Sequence, residues 1–550
     1  MKTITVAGSA IALAIIAATT AGGSAAPGRS FAADVPVRSD VRDLGRAAGS
    51  TTVNLALTLS YRNQAELDRL VELQGDPTSP MYLRFLDNAQ FNAYFAPSAT
   101  DYARSAAILI RAGFHVTNSF ENRTILDVAA PVRTVERYFA TEIHTVNQVG
   151  HGFRYANVRP ATMPDELLPT VAAISGFDNL VTMKYDLQRG RPAPGNDLVS
   201  VDGAPLKGPD GGFGPVVTQI AYDFPARHKF DGKGRATGNA ISGDIKDADV
   251  TAFIKFFGVT RTGPATSRVS VDGGAVYNPN SPDTQEAVLD AETIVGNAPG
   301  THFYMYLFPD LSFVHVEDGY NKAVSDNVVD ALNSSFGACE TNNPFATATN
   351  KIAQQAAAKG ITFNASSGDS GSSQCGTIHG GQNSPATGTY FTSVGGTSLT
   401  VSATGAYVSE SAWSGSGGGV STVFAIPTYQ KGVKGLASQT KRNVPDVAFV
   451  GDPNTGASYY LKDLGGFVGP IGGTSLSSPL FSALITEIDQ KDKARVGAVN
   501  TRLYKAFASK GYSVYRDITT GNNGGYLAHK GYDNVTGIGS ARGFALGGVL

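Results

Sequence analysis

The sequence predicts an α/β protein, a mainly parallel sheet covered on both faces by helices, preceded by a separate α+β unit. Three observations predict it. From about Val216 onward, short apolar runs alternate with helical stretches, through Ala252–Phe257, Thr284–Val295, His302–Leu307, Ala323–Leu332, Lys351–Lys359 and Ile361–Ala365. Strand-then-helix repetition of this kind implies parallel strands joined by covering crossovers. Residues from about 50 to 185 mix both periodicities within the length of one domain. Between them, Gln188 to Gly214 is dense in Pro and Gly, as in Arg191-Pro192-Ala193-Pro194-Gly195 and Gly208-Pro209-Asp210-Gly211-Gly212, which reads as an exposed linker open to proteolysis. At 550 residues two folded parts plus tails are expected.

In chain order, Met1-Lys2-Thr3 is followed by an apolar stretch from Ile4 to about Ala18, then small residues ending in Ser24-Ala25-Ala26 or Ser30-Phe31-Ala32. Residues 1–32 therefore read as a secretory signal peptide; the stretch, broken by Ser9 and Thr19, is short for a membrane anchor. The expected product is exported and soluble, outside the cell or in a periplasm, with no membrane partner. The α+β unit covers 33–187, with helices at Gln64–Gln74 and Ala99–Gly113 and strands at Val116–Val128 and Glu142–Val149. The linker covers 188–214 and the α/β unit 215–550. Cys339 and Cys375 are the two cysteines; in an oxidising compartment they form a disulfide or remain two buried thiols.

The chain has 44 basic and 46 acidic residues, so no basic stripe is available to neutralise a phosphate backbone, and nucleic acid is not an expected partner. Charged residues make up only 16% of the chain, which suits work in acid because fewer carboxylates change charge there.

The strongest local motif is Gly472-Gly473-Thr474-Ser475-Leu476-Ser477-Ser478-Pro479, ahead of the apolar helical run Leu480–Ile488. A glycine turn admits a substrate, a proline fits the first turn of the following helix, and a helix N-terminus favours a developing oxyanion. Ser475 is thus a candidate nucleophile. Gly395-Gly396-Thr397-Ser398-Leu399 repeats the pentapeptide without the proline and is an internal control. A serine needs a base, and none of the eight histidines sits in a His-Gly-Thr-His context. Ser281 and Pro282 open a helix on which Glu286 and Asp290 stand one turn apart. Such a pair shares a proton and titrates in the acid range, unless it is merely a solvated helix face.

Glu286-x-x-x-Asp290, Ser366-Ser367-Gly368-Asp369-Ser370-Gly371 and Gly473-Thr474-Ser475-x-x-x-Pro479 resemble, in this order, the active-site motifs of the sedolisin serine-carboxyl peptidases. Ser416–Ser421 and Arg442–Val447 also look like family segments, and Asp76–Tyr82 and Tyr155–Pro160 resemble the activation domain that precedes these enzymes. The resemblance implies a self-processing zymogen with a subtilisin-like catalytic domain and a ferredoxin-like prodomain acting as intramolecular inhibitor and chaperone, monomeric, and cutting peptide bonds in acid. It implies Ser475 as nucleophile, Glu286 as base, Asp290 orienting Glu286, and a protonated Asp369 as oxyanion donor. It also implies one structural Ca2+ held by Asp517, Ile518, His529, Gly531 and Asp533, although His529 stands where glycine is usual, and an aromatic substrate surface at Phe336 where relatives carry tryptophan. The alternatives are a Ser-His-Asp hydrolase using Asp369, His379 and Ser475, or an inactive secreted binding protein.

Overall fold

The structure, a computed structural model, describes residues 31–33, 38–185, 187–191, 200–201, 203–340 and 344–550. Residues 1–30 of the expected signal peptide, and 192–199 of the expected linker, lie outside the described residues.

The N-terminal unit is built from β1 (Val41–Arg46), β2 (Thr52–Leu59), α1 (Gln64–Gln74), α2 (Ala99–Ala112), β3 (His115–Ser119), β4 (Ile125–Pro131), α3 (Val132–Phe139), β5 (Ile143–Gln148), β6 (Gly152–Asn157) and β7 (Val171–Ser175). Its strands form an antiparallel four-stranded sheet, β3-β4-β2-β7, and a three-stranded one, β1-β5-β6. The expected single strand Val116–Val128 is two strands, because Glu121-Asn122-Arg123 turns the chain, with Arg123 at φ 57°. Both expected helices are present; Gly113, at φ 101°, accepts the left-handed position that ends α2.

Two short strands follow, β8 (Lys184–Tyr185) and β9 (Gln188–Arg189). Within the described part of the stretch after them, residues 203–214 are not the exposed linker expected from their Pro and Gly content. Leu206 and Phe213 enter the apolar core, and the Asp210 carboxylate accepts from Ser458 Oγ (2.6 Å) and the N–H groups of Tyr459 and Gly469 (3.0 Å each). The glycines there serve close backbone packing: a Cβ on Gly212 would stand 2.3 Å from Ser458 N.

The C-terminal unit contains β10 (Ala236–Ile241), α4 (Asp247–Phe256), β11 (Ser267–Ser270), α5 (Pro282–Asn297), β12 (His302–Leu307), α6 (Phe313–Asp326), β13 (Ala331–Ser334), β14 (Phe336–Cys339), α7 (Pro344–Ala358), β15 (Thr362–Ser366), β16 (Thr392–Val401), β17 (Tyr407–Ala412), β18 (Val447–Val450), β19 (Ile471–Gly472) and α8 (Thr474–Asp492). An eight-stranded sheet runs β11-β12-β10-β13-β15-β16-β17, with β18 also on β16; every pair is parallel except β16–β17. Two readings shift. Ala252–Phe257 closes a helix, and Ala323–Leu332 spans the end of α6 and the start of β13, because Asn327, at φ 56°, ends the helix between them. One apolar cluster packs α4, α5 and α8 against one face of the sheet, with Phe253, Val288, Leu476 and Phe481; another packs α6 and α7 on the other, with Tyr320, Ile352 and Phe363.

The N-terminal unit docks on α6 and α7. Asn122 Nδ2 donates to Asn321 Oδ1 (2.7 Å), Ser175 Oγ to Glu317 Oε1 (2.5 Å), and Tyr61 OH to the Lys351 carbonyl (2.9 Å).

Candidate active site

Parallel strands gather their carboxyl ends on one edge, where ligand sites of α/β sheets form. Ser242 follows β10, Ser335 follows β13 and Asp369 stands three residues beyond β15. Across that edge lie α5 and α8, packed on each other.

Helix α5 begins as its sequence dictates: Ser281 Oγ accepts from Asp283 N at 3.2 Å and Pro282 occupies the first turn. Glu286 and Asp290 are both 0% exposed, so this is no solvated helix face. Asp290 Oδ1 accepts from Ser335 Oγ (2.7 Å), and Ser335 Oγ accepts from Asn333 Nδ2 (2.9 Å), which also donates to Asn239 (3.0 Å). Burial pushes the Asp290 carboxyl up to about 7, opposed by hydrogen bonds from Ser335, Asn239 and Asn333. A shared proton was expected to place the titration of the pair in the acid range; desolvation carries Asp290 further, to neutrality. The Glu286 charge reaches two phenols, Tyr185 and Tyr459, both pushed upward by burial first and by neighbouring carboxylates, Glu286 among them.

Ser475 lies in the first turn of α8, which starts at Thr474, six residues before the apolar run Leu480–Ile488. Gly473, at φ 108°, makes the corner that starts it. Pro479 therefore falls inside the helix rather than in its first turn, and with no N–H it gives nothing to the Ser475 carbonyl. Ser475 Oγ donates to the Ser335 carbonyl at 3.1 Å. Ser335 thus touches Asp290 with its hydroxyl and Ser475 with its carbonyl, so one residue sets both. The sequence offered a signal for it, Ser334-Ser335-Phe336-Gly337 at a strand end, but that reading stopped at Phe336.

Asp369 Oδ1 accepts twice from Thr474, from its N–H at 2.8 Å and its hydroxyl at 2.9 Å; the same hydroxyl accepts from Gly368 N at 3.0 Å. Thr474 had no assigned part in the sequence reading, although it adjoins Ser475. The structure brings Asp369 to Ser475 through this neighbour.

Phe336 is fully buried, with Tyr185 edge-on at 5.8 Å and Phe308 and Tyr320 around it. In the intact chain its ring is a covered surface. His379 is exposed and packs against Tyr526, ring centroids 4.7 Å apart, whereas Ser475 is fully buried with its hydroxyl on the Ser335 carbonyl.

Cys339, at the end of β14, is bonded to Cys375 in the loop beyond Asp369. In the C-terminal loop, Asp517 Oδ1 accepts from Gly531 N (3.2 Å) and Asp533 Oδ2 from His529 N (3.3 Å), which draws both carboxylates to one turn. Asp533 Oδ1 takes the N–H groups of Val535 and Thr536, and burial pushes this carboxyl up to about 6. Gly531 has φ 92°, whereas His529 lies outside the left-handed region that favours glycine, so the exchange at 529 leaves a carbonyl ligand reachable. Among the described residues no group of three or more His, Cys, Asp or Glu side chains could hold a metal ion; the expected set has two carboxylates and three carbonyls.

The activation domain of pro-kumamolisin, as a family description, matches residues 39–180, and the subtilase family matches 271–509. Sedolisin of a Pseudomonas species is 30% identical over 92% of this chain and 88% of its own length, and kumamolisin of a Bacillus species is 29% identical over 92% of each. A solved structure of Pseudomonas sedolisin, a serine-carboxyl proteinase complexed with two molecules of pseudo-iodotyrostatin, is similar at TM-score 0.54 and 29% identity, covering 61% of this chain and 97% of that one.

Proposed function

The chain belongs to the sedolisin family of serine-carboxyl peptidases, with an activation domain ahead of a subtilase-type peptidase domain, and from that premise we propose a secreted, acid-active endopeptidase working through Ser475, Glu286, Asp290 and Asp369. No helix among the described residues is long and apolar enough to cross a membrane.

The observation that carries this reading is the double use of Ser335, whose hydroxyl serves Asp290 and whose carbonyl serves Ser475. Ser475 Oγ adds to a peptide carbonyl while Glu286 takes its proton and then returns it to the leaving amine. Asp290, held protonated by burial in acid, donates to Glu286 and fixes its rotamer. Thr474 occupies Oδ1 of Asp369; the acidic proton of Asp369 then resides on Oδ2, from which it donates to the oxyanion together with the Ser475 N–H at the start of α8. Both Asp290 and Asp369 must stay protonated, and this ties turnover to low pH. Cleaved peptides or proteins are the substrates; the chain's own N-terminal domain is the inhibitor.

Asp517 and Asp533, with the carbonyls of Ile518, His529 and Gly531, fit one calcium ion, which when bound supplies hard-cation cross-linking of the C-terminal loop. It takes no part in the bond cleavage.

The test is Glu286→Gln. Acidified precursor of the parent chain processes itself and hydrolyses added peptide, whereas the variant, folded by circular dichroism, loses about 10³-fold in kcat, in the range for a lost general base. A variant that retains parental kcat sinks the assignment.

A further inference from the structure

Three asparagines stand side by side in the central sheet. Asn239 on β10, Asn333 on β13 and Asn364 on β15 are paired in register across neighbouring parallel strands, and all three are fully buried. Strands rarely carry asparagine, and a buried amide costs free energy unless it is hydrogen-bonded. Such a row asks for a use.

Its hydrogen bonds run in one direction, from α8 to α5. Asn364 Nδ2 donates to the Ser478 carbonyl (3.0 Å), while Asn364 Oδ1 accepts from Ser482 Oγ (2.7 Å). A main-chain carbonyl can only accept, so the Asn364 amide has one orientation. The same Nδ2 donates to Asn333 Oδ1 (3.1 Å), which accepts also from Ser478 Oγ (2.8 Å). The Asn333 Nδ2 therefore faces the other way, donating to Asn239 Oδ1 (3.0 Å) and to Ser335 Oγ (2.9 Å). Turning this amide over would set its nitrogen against the nitrogen of Asn364 and its oxygen against the oxygen of Asn239. Having accepted from Asn333, the Ser335 hydroxyl gives its single proton to Asp290 Oδ1 (2.7 Å).

The row also grips the nucleophile's turn. Because Pro479 offers no N–H to the Ser475 carbonyl, the start of α8 lacks one bond to the rest of its helix. Asn333 and Asn364 both hold Ser478, the residue just before that proline.

Resting on the function proposed above, we infer that Asn333 is a positioning residue, which fixes the direction of the Ser335 hydroxyl and so leaves Oδ2 as the Asp290 oxygen that carries the acid proton to Glu286. Asn333 itself touches neither Ser475 nor Glu286 in this scheme; it acts through Ser335. Without it the Ser335 hydroxyl turns freely, the Asp290 proton exchanges between two oxygens, and Glu286 loses its donor for part of the time. A carboxylate deprived of a hydrogen bond holds a proton more tightly, so Glu286 then serves as a base only at higher pH. Besides Asp290, the phenols of Tyr185 and Tyr459 face Glu286, and both are neutral in acid.

The experiment uses enzyme activated from the full-length precursor, with kcat and KM for an added peptide measured across the acid range per active serine. Asn333→Ser is too short to reach Ser335 and Asn239 together. It is expected to lower kcat about tenfold at unchanged KM and to move the acid limb of the kcat profile up by about one pH unit, the size of one hydrogen bond to a charged group. Asn333→Asp, whose neutral carboxyl in acid keeps an O–H for Ser335, returns the limb to its parental position. Ser477→Ala is the control: its hydroxyl, on the same turn of α8, bonds the Phe449 and Val450 carbonyls instead, so the variant loses stability and leaves the limb in place. Should Asn333→Ser fail to fold, Ser478→Ala, which strips one donor from Asn333 Oδ1, gives the same displacement in smaller measure. An acid limb that stays at the parental pH in whichever of the two folds, or one displaced equally in Ser477→Ala, overturns the positioning role while the parent's turnover leaves the function standing. A parent that hydrolyses no peptide overturns the function itself.

Discussion

Gly395–Leu399 and Gly472–Leu476 are the same five residues in two structures. The first lies inside β16, where Gly395, Gly396 and Thr397 sit opposite Ala448, Phe449 and Val450 of β18; the second turns at Gly473 and enters α8. Their side chains do related work. Thr397 Oγ1 donates to Glu410 (2.7 Å) as Thr474 Oγ1 donates to Asp369 (2.9 Å). Glu410 is enclosed, accepting also from Tyr222 (2.7 Å) and Ser540, whereas Asp369 lies just beyond the carboxyl ends of the parallel strands. Ser398 is spent on Asp452 (2.6 Å), and Ser475 points at Ser335. Gly451 joins the copies, its N–H donating to the Thr397 carbonyl (2.9 Å) and its carbonyl accepting from Gly473 N (2.7 Å). Local sequence sets the hydroxyl-over-carboxyl chemistry, and tertiary context decides which copy stays in a strand and which turns into a helix.

Asp369→Asn leaves Oδ1 to accept from Thr474 and turns an amide N–H, a weaker donor than a carboxylic acid, to the oxyanion, so kcat near pH 4 falls by less than the about 10²-fold of an oxyanion donor lost outright. Because an amide needs no proton to donate, the residual activity extends to higher pH than in the parent; an unchanged alkaline limb in a pH–rate profile contradicts the role of Asp369. The threonine pair sharpens the contrast. Thr474→Val removes the hydroxyl that donates to Asp369 and accepts from Gly368 N, lowering kcat by about tenfold and stability by about 1–3 kcal/mol. Thr397→Val lowers stability by about 1–3 kcal/mol through the unsatisfied Glu410, with kcat per folded molecule unchanged. Equal losses of kcat in both variants erase the distinction.

A smaller effect spans the whole molecule. Asp290, at about 7, and Glu292, Glu317, Asp318 and Glu487, all pushed up by burial, bind protons in the folded state that the unfolded chain releases near pH 4. Their contribution is present below the unfolded values and lost as pH rises through the folded ones. Asp310 is held low beside His315, so its contribution is lost only in strong acid. Calorimetry on the Ser475→Ala precursor, which blocks self-digestion, is expected to give a higher melting temperature at pH 4 than at pH 7.

Much of this was legible in the sequence. The α5 start, with Ser281 and Pro282, is local capping chemistry, and the Glu286/Asp290 spacing follows from helical period alone. The parallel sheet followed from the alternation of apolar runs. What sequence could not supply depends on contacts far apart in the chain. Ser335 acts through neighbours 45 and 140 residues away, and Leu206 and Phe213 are core residues inside a segment whose Pro and Gly content suggested exposure. Pairing of β8 with β14 and of β9 with β19 is set by those partner strands, and no period in Lys184–Arg189 announces it.

The most direct measurement compares Ser475→Ala with Ser398→Ala, each purified as precursor and acidified alone, with intact mass read over time. Ser398→Ala is expected to convert at the parental rate while Ser475→Ala stays full length. Conversion of isolated Ser475→Ala would contradict it.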